Sequence, residues 1–321
     1  MGEISKGIAK LAESAIKVLP TFEPFQLKRI GKAKQEIFES ACKSLEENIH
    51  LPTKYENGEF TIDTTDVKAM ITRSENLDKL DRLRKQNNFE QVLEKTEDLL
   101  VNDNDVNDEP LDPDFFFKVR DCSGEVSNEE MQNWWAKLIA GEVKKPGSFS
   151  RRTLETLKNL SEEEARFFEK ICKIAPVFNG ERTLLHDEEF LKLGDIDINQ
   201  LYQMQDTQLL DLFTVILTPS FNFDEPSILI IDENYVIKTS KDGELKIPKI
   251  TFTQQGKELA RLITAPIELN TVIQFAITVD CNNENIDLSL HEIETYDKVA
   301  GTITYNDENL LMCTCSTNEK P

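Results

Sequence analysis

The chain has 321 residues, of which 39% are hydrophobic, and it carries 59 acidic against 37 basic side chains, a formal net charge of −22. This length and apolar content suffice to bury a sizeable core and favour two domains, which excludes disorder throughout the chain. The excess of negative charge excludes a general attraction to nucleic acid or anionic lipid, so either contact needs a local basic patch.

The apolar runs are too short to cross a membrane. The longest of them, residues 227–231 and 271–279, fall well short of the roughly 20 residues that a spanning helix needs. Residues 1–20 mix lysines with apolar side chains and lack the charged-then-apolar order of a secretory signal. We expect a cytoplasmic protein, with peripheral attachment to the inner membrane left open.

The six cysteines are scattered along the chain, without the spacing of a disulfide framework. Cys313 and Cys315 form the one close pair, and they would bind a metal only if Cys281 and His291 folded beside them. The pattern favours reduced thiols in a cytosolic protein. We therefore predict neither a metal nor a cofactor.

The first residues are locally basic. Apolar residues recur every three to four positions over residues 3–19, which predicts an amphipathic helix, and a second helix is expected over residues 25–47. These helices either pack on their own domain or serve as an assembly arm or membrane contact. The residues assigned to a membrane or assembly role are Ile4, Ile8, Leu11, Lys28, Arg29 and Lys32.

Residues 65–100 show helical spacing, and Asn87-Asn88 is expected to separate two helices there. Residues 102–114 follow, rich in Asp and Asn and carrying Pro110 and Pro113, with almost nothing to bury. Because Asp108 stands where a calcium loop needs glycine, this run is predicted to be a solvated acidic linker.

The central region carries two helix-start signals, Ser127 with Glu130 and Ser161 with Glu164, which predict capping boxes. The first is expected to open a buried helix that includes Trp134-Trp135 and ends near Gly141. With the helices that follow, this predicts a compact helical domain.

Beyond residue 180 the predicted order is two helices (residues 187–193 and 198–212), a hairpin (227–231 with 235–239), a strand (245–252) and a Thr253-capped helix. That order resembles a winged-helix module. Short strands are expected in the remainder. The predicted fold class is α+β, mainly α, and the predicted segments are an N-terminal helical region (1–100), an acidic linker (101–114), a central helical domain (115–180), a winged-helix-like module (181–265) and a small β-containing C-terminal region (266–321).

Three stretches carry a family resemblance. The central one includes Leu111-Asp-Pro-Asp-Phe115, Val126-Ser-Asn-Glu-Glu-Met-Gln132, Trp135-Ala-Lys-Leu-Ile-Ala-Gly-Glu142, Pro146-Gly-Ser-Phe-Ser150, Arg152-Thr-Leu154 and Leu157-Lys-Asn-Leu-Ser161. The flanking ones are Pro24 with Arg29-Ile-Gly-Lys-Ala33, and Phe252-Thr-Gln-Gln-Gly-Lys-Glu-Leu259. With these motifs the chain resembles a family of bacterial proteins described as a domain of unknown function, and more distantly it is similar to proteins of abortive infection, a response to phage. The resemblance implies a bacterial or prophage origin and implies no catalytic residue.

The residues show no phosphate-binding glycine loop, metalloprotease helix or nucleophile elbow. The most informative local feature is the basic loop around residues 144–152, where two arginines in the first turn of a helix oppose the helix dipole. An anion or a partner's carboxylate could offset that conflict, and so could Glu142, Glu155 or the acidic linker. The residues assigned to anion or partner binding are Lys144, Lys145, Ser148, Ser150, Arg151 and Arg152.

We therefore expect a non-enzymatic protein that acts through protein contacts in phage defence, with a partner encoded by the phage or belonging to a defence system. Homo-oligomerisation is left open. One alternative is a DNA-binding regulator, which the absence of Lys and Arg from residues 199–212 disfavours because phosphate contacts would be poor. Another is a membrane effector that uses the N-terminal helix.

Overall fold

The structure, a computed structural model of the chain, describes residues 6–11, 53–56, 59–62, 67–103, 106–212, 220–223, 227–239, 243–283, 286–297, 300 and 302–313. It divides into two units, residues 1–158 and 159–321. Ile4, Lys28, Arg29, Lys32 and Cys315 lie outside the described residues. The five-segment division of the chain stays a prediction.

The described part of the first unit is built mainly from helices. Its elements are a helical segment at residues 6–11, the antiparallel hairpin β1 (Thr53–Glu56) and β2 (Glu59–Ile62), and the helices α1 (Val67–Leu100), α2 (Pro113–Ser123), α3 (Glu129–Lys144) and α4 (Arg151–Asn159).

Helix α1 runs without interruption through Asn87-Asn88, so the predicted break there is wrong. The Asn88 side chain is buried and donates from Nδ2 to the Gly124 carbonyl at 2.9 Å and to the Ser127 hydroxyl at 3.0 Å. Because its amide is satisfied across the helix packing, it does not compete with the helix backbone. Phe89 follows and packs edge-on against Phe116 with ring centroids 6.2 Å apart.

Helix α3 begins one residue later than predicted. Its N-cap is Asn128, whose Oδ1 accepts from the Met131 backbone N–H at 3.0 Å, so the predicted capping box at Ser127 is wrong. The Ser127 hydroxyl instead accepts from Asn88. Trp134 and Trp135 are both buried, as expected for core residues.

The second unit places helices with an antiparallel sheet. Its helices are α5 (Glu162–Ile174), α6 (Glu188–Lys192), α7 (Ile198–Gln203), α8 (Gln254–Ala260) and α9 (Leu269–Cys281), with a 3-10 turn at Met204–Thr207. Its strands are β3 (Val177–Phe178), β4 (Glu181–Leu185), β5 (Leu210–Asp211), β6 (Ser220–Phe223), β7 (Ile228–Ile231), β8 (Tyr235–Thr239), β9 (Gly243–Lys246), β10 (Lys249–Phe252), β11 (Leu288–Asp297) and β12 (Thr302–Cys313).

Eight of these strands form one sheet in the order β12-β11-β8-β7-β3-β4-β10-β5, and β6 pairs with β9 separately. The predicted hairpin is confirmed as β7 and β8. The predicted strand over residues 245–252 is instead two strands in different sheets, because Pro248 lacks the N–H that a continuous ladder needs. With helices and an antiparallel sheet described, the predicted α+β class is confirmed.

Two helix starts in this unit follow the sequence. The capping box at α5 is confirmed, since the Glu164 N–H donates to the Ser161 hydroxyl at 3.2 Å and the Ser161 N–H donates to Glu164 at 2.7 Å. Thr253 caps α8 as predicted, accepting from the Gly256 N–H at 3.1 Å. The Thr253 hydroxyl also donates to the Gln208 carbonyl at 2.6 Å, which ties the start of α8 to the residues before β5.

The segment after α8 is the part that the sequence described least well. Helix α9 was not predicted, and its buried Val272, Phe275, Ala276 and Val279 share one face. Where short strands were expected in the remainder of the chain, residues 302–313 form the single long strand β12, which pairs with β11 through three register shifts. Both strands extend the sheet of the hairpin.

Candidate functional site: a basic loop fastened by Glu142

A buried carboxylate fixes the loop between α3 and α4. Glu142 is 4% exposed, and its Oε1 accepts from the Gly147 N–H at 2.6 Å, while Oε2 accepts from Ser148 at 3.0 Å and from Phe149 at 3.2 Å. Hydrogen bonds to an ionised acceptor are stronger than neutral ones. These three N–H groups therefore bind a carboxylate that the chain itself supplies, so they are not available to an external anion.

Two glycines allow the loop to close on α3. Gly147 has a φ of +78°, a backbone conformation that a side chain would strain. Gly141 leaves room for the Phe149 ring, whose Cε2 lies 2.9 Å from the position that a Cβ would take. Phe149 is buried as a result. The shape of the loop is thus set by packing as well as by Glu142.

The two serines have different structural positions. Ser150 caps α4, because its hydroxyl accepts from the Thr153 N–H at 3.3 Å. The Ser148 hydroxyl donates to the Lys145 carbonyl at 2.6 Å and so closes the turn before the helix. Ser150 is therefore the capping serine of α4, and Ser148 belongs to the turn.

The acidic segment of residues 102–114, which ends in the first turn of α2, neutralises part of the basic loop. Lys144 Nζ lies 2.6 Å from Asp103 Oδ2, and Arg151 Nη2 lies 3.5 Å from Asp112 and 3.6 Å from Asp114. This segment is held to α3, since the Asn107 N–H donates to the Lys144 carbonyl at 3.0 Å. The predicted linker thus contacts the loop through charge.

Lys145 and Arg152 differ from their neighbours. Both side chains are exposed, and neither forms an ion pair with any of the described residues. Of the six residues assigned to anion or partner binding, these two are the cations that no described carboxylate neutralises.

The N-terminal helical segment packs within the chain. Ile8 and Leu11 are buried, the Gly7 N–H donates to the Asp103 carbonyl at 3.3 Å, and Lys10 Nζ donates to the Asn107 carbonyl at 2.6 Å. Burial lowers the pKa of Lys10, and nearby carboxylates oppose that shift. Within residues 6–11, the apolar side chains of Ile8 and Leu11 are thus covered by the chain itself.

The described chain offers little other chemistry. Among the described residues no group of three or more His, Cys, Asp or Glu side chains could hold a metal ion. Burial raises the pKa of the Cys172 thiol to about 12, which keeps it protonated and unreactive at neutral pH. His186 shares a 3.1 Å hydrogen bond with the Tyr202 hydroxyl, and His291 shares one of 2.9 Å with Ser289. No described helix has the length and apolar content to cross a bilayer.

The sequence analysis identified the cations of the basic loop but missed that Glu142 holds the loop through three backbone N–H groups. The signal was present, because a glutamate precedes Pro-Gly-Ser-Phe by four to seven residues in the central stretch of the resemblance. A carboxylate at that spacing can accept hydrogen bonds from several backbone N–H groups of the glycine turn that follows it.

A family model, protein of unknown function (DUF2806), matches residues 72–272, which is more than half of the chain. The matched range includes the basic loop and the Thr253-to-Leu259 motif. No curated protein and no solved structure matches.

Proposed function

We propose, from the premise that this chain belongs to the DUF2806 family of proteins of unknown function, that it is a non-enzymatic bacterial protein which acts through contact with a protein partner in phage defence. The observation that carries the contact is the pair of exposed cations, Lys145 and Arg152, on a loop fastened by Glu142. The defence part rests on the resemblance to abortive-infection proteins.

The loop suits recognition because its backbone is already ordered. Three hydrogen bonds to Glu142 and the buried Phe149 fix the loop before any partner arrives, so binding costs less conformational entropy. The Arg152 guanidinium can hold a carboxylate with two parallel hydrogen bonds. The partner surface that fits is therefore an acidic one.

The net charge of the chain bears on how such a partner would dock. At −22 the protein repels an acidic partner over most of its surface. A small exposed positive site then fixes the orientation of approach, which contributes more to specificity and association rate than to affinity.

The finer fold proposal is a winged-helix-like module over residues 181–265 that also contacts protein. Support comes from two short helices, the β7–β8 hairpin, β10 and the Thr253-capped α8, which occur in this order with β5, β6 and β9 between them. Helix α7 has six residues and contains no Lys or Arg, so it offers no cationic side chain to DNA phosphates. A DNA-binding use would instead need salt-dependent duplex binding, and its absence at low salt would end that alternative.

The test compares two double variants in cells challenged with a panel of phages. Lys145→Glu/Arg152→Glu reverses the two free cations, and Lys79→Glu/Lys137→Glu makes the same change in charge at exposed lysines on α1 and α3. We expect the first to lose protection and the second to keep it. Equal phage plating with and without the wild-type gene would refute the defence role. Full protection by Lys145→Glu/Arg152→Glu would refute the proposal that the basic loop makes the contact.

Affinity capture identifies the partner in the same cells. We expect an acidic protein, captured from infected or uninfected cells by the wild type and by the Lys79→Glu/Lys137→Glu control but not by Lys145→Glu/Arg152→Glu. A partner retained equally by all three would place the contact elsewhere on the chain.

A further inference from the structure

The eight-stranded sheet of the second unit narrows at β3. This strand has two residues, and in the strand order it lies between β7 and β4. It joins β7 through one residue pair, Phe178 with Ile231, whereas β7 and β8 share four pairs. Within the described sheet, β3 therefore connects the strands β12-β11-β8-β7 to the strands β4-β10-β5 through a short junction.

The turn that follows β7 fastens this junction. The Asp232 N–H donates to the Val177 carbonyl at 2.9 Å, and the Val177 N–H donates back to Asp232 Oδ1 at 2.7 Å. The Asn179 N–H donates across the same junction to the Ile230 carbonyl at 2.9 Å. The connection of β3 to β7 thus includes a hydrogen bond to a side chain that can take up a proton.

The same turn has a strained backbone. Asp232 and Glu233 have φ values of +48° and +63°, in the left-handed region that residues with a Cβ rarely adopt. Asn234 supports the turn, since its Nδ2 donates to the Asp232 carbonyl at 2.9 Å and its carbonyl accepts from the Ile293 N–H at 2.7 Å. Strained residues keep their conformation only where surrounding contacts determine it, so we expect the turn to respond when one of these contacts weakens.

The second carboxylate oxygen of Asp232 lacks a partner. Oδ2 is buried and has no hydrogen bond to any of the described residues. Burial penalises a charged oxygen far more than a neutral one, because the charge loses its hydration. When Asp232 is ionised, the turn therefore holds a charge that is only partly compensated, and protonation removes that charge.

Charged groups near Asp232 change this penalty but do not remove it. Burial raises the pKa of Asp232 above its ordinary value of 3.8 and Glu233 raises it further, while the backbone hydrogen bond and the Arg182 charge lower it by less. Tyr235 on the adjacent β8 is neutral where Asp232 titrates, because burial, Glu292 and Asp232 raise the pKa of its hydroxyl above 10.0. The protonated form of Asp232 is thus favoured by its position in the fold.

We infer that Asp232 is a proton-dependent latch of the β3–β7 junction, which holds the junction more firmly when its carboxyl is protonated than when it is ionised. Because the pKa of Asp232 in the folded chain is raised, this stabilisation is complete below pH 3.8 and is lost as the pH rises through the folded value. Acid therefore tightens the contact between the two groups of strands, and towards neutral pH the turn opens more readily. The latch uses no residue of the basic loop and does not depend on the proposed function.

The first experiment compares two Asp→Asn variants of the full chain by urea unfolding, from just below pH 3.8 to neutral pH. Asp232→Asn removes the charge and keeps an oxygen that can accept from the Val177 N–H. Asp195→Asn is the matched control, because Asp195 also has a positive φ, +52°, but its side chain is 96% exposed. We expect the unfolding midpoint of Asp232→Asn, relative to the wild type, to rise with increasing pH, and that of Asp195→Asn to show no such rise.

The second experiment measures hydrogen exchange of the peptide that covers residues 176–180, corrected for the intrinsic pH dependence of exchange. We expect the protection of this peptide to increase on acidification in the wild type and to vary little with pH in Asp232→Asn. Glu233→Gly relieves a strained φ and keeps the Asp232 carboxyl, so we expect higher protection with the pH dependence of the wild type. This variant separates the effect of the proton from the shape of the turn.

Two outcomes would overturn the inference. One is a relative midpoint of Asp232→Asn that does not change with pH, or that changes as the midpoint of Asp195→Asn does. The other is a corrected protection of residues 176–180 that is the same in acid and at neutral pH in the wild type and in Glu233→Gly. If Asp232→Asn does not fold, this second measurement decides alone, because both of those chains keep the carboxyl.

Discussion

Glu142→Ala is expected to release the basic loop while α3 stays folded. The change removes an acceptor that takes three backbone N–H groups at 2.6, 3.0 and 3.2 Å. The Gly147 N–H is on an exposed residue and can turn to water, whereas the Phe149 N–H is buried and loses its partner. One unsatisfied buried donor and two weakened bonds cost about 3 kcal/mol, on the order of other losses of charged hydrogen-bond networks.

Hydrogen exchange measured by mass spectrometry reports this loss locally. We expect the peptide that covers residues 145–150 to exchange faster in Glu142→Ala, while peptides from the middle of α3 keep their protection. Glu163→Gln is the control, because that carboxylate is exposed in the first turn of α5. Unchanged protection at residues 147–149 in Glu142→Ala would mean that the carboxylate does not fix the loop, and the reasoning about the site would be wrong.

Two further predictions concern stability. Gly256→Ala is expected to lower the free energy of unfolding by about 3 kcal/mol, because a Cβ there would overlap the Leu209 carbonyl oxygen. Gly147→Ala is expected to lower it by about 1 kcal/mol, because its Cβ would have open space but its φ is +78°. Urea unfolding measures both, and the opposite order would reject this reasoning. Burial raises the pKa of Glu181, but hydrogen bonds from two lysines outweigh it and the pKa is lowered. The stabilisation by the Glu181 carboxylate is therefore present above pH 4.5 and is lost as the pH falls below that value. Below pH 4.5, the urea midpoint of the wild type should therefore decrease with falling pH more steeply than the midpoint of Glu181→Gln.

Features set by nearby residues could be predicted from the sequence. The α5 capping box needs only Ser161 and Glu164, and the β7–β8 hairpin needs only two apolar runs and a short turn. Asn88 shows the limit of local rules, because an asparagine pair is expected to break a helix. Here the amide is satisfied by residues 36 and 39 positions away, and such partners cannot be read from local pattern.

Long-range pairing accounts for most of what the sequence did not reveal. Helix α9 contains Thr271, Val272 and Thr278, residues that favour strands, and its apolar face is evident only once Phe275 is seen to pack against Phe178 at 5.3 Å. The polar stretch 306–309 stays within the single strand β12 because it falls in one register shift, between the pairs His291–Leu310 and Ile293–Tyr305. Neither the sheet order nor these shifts follow from composition or spacing.

The central stretch of the family resemblance separates into residues that build the loop and residues that the loop displays. Gly141, Glu142 and Phe149 each have a structural task inside the chain. Arg152 belongs to the same stretch, yet it is exposed and forms no ion pair with the described residues. The side chains that stabilise the loop thus differ from the side chain that it exposes. Arg152→Glu should therefore leave the urea unfolding midpoint nearly unchanged, whereas Glu142→Ala should lower it. A partner contact can then be tested without disturbing the loop that presents it.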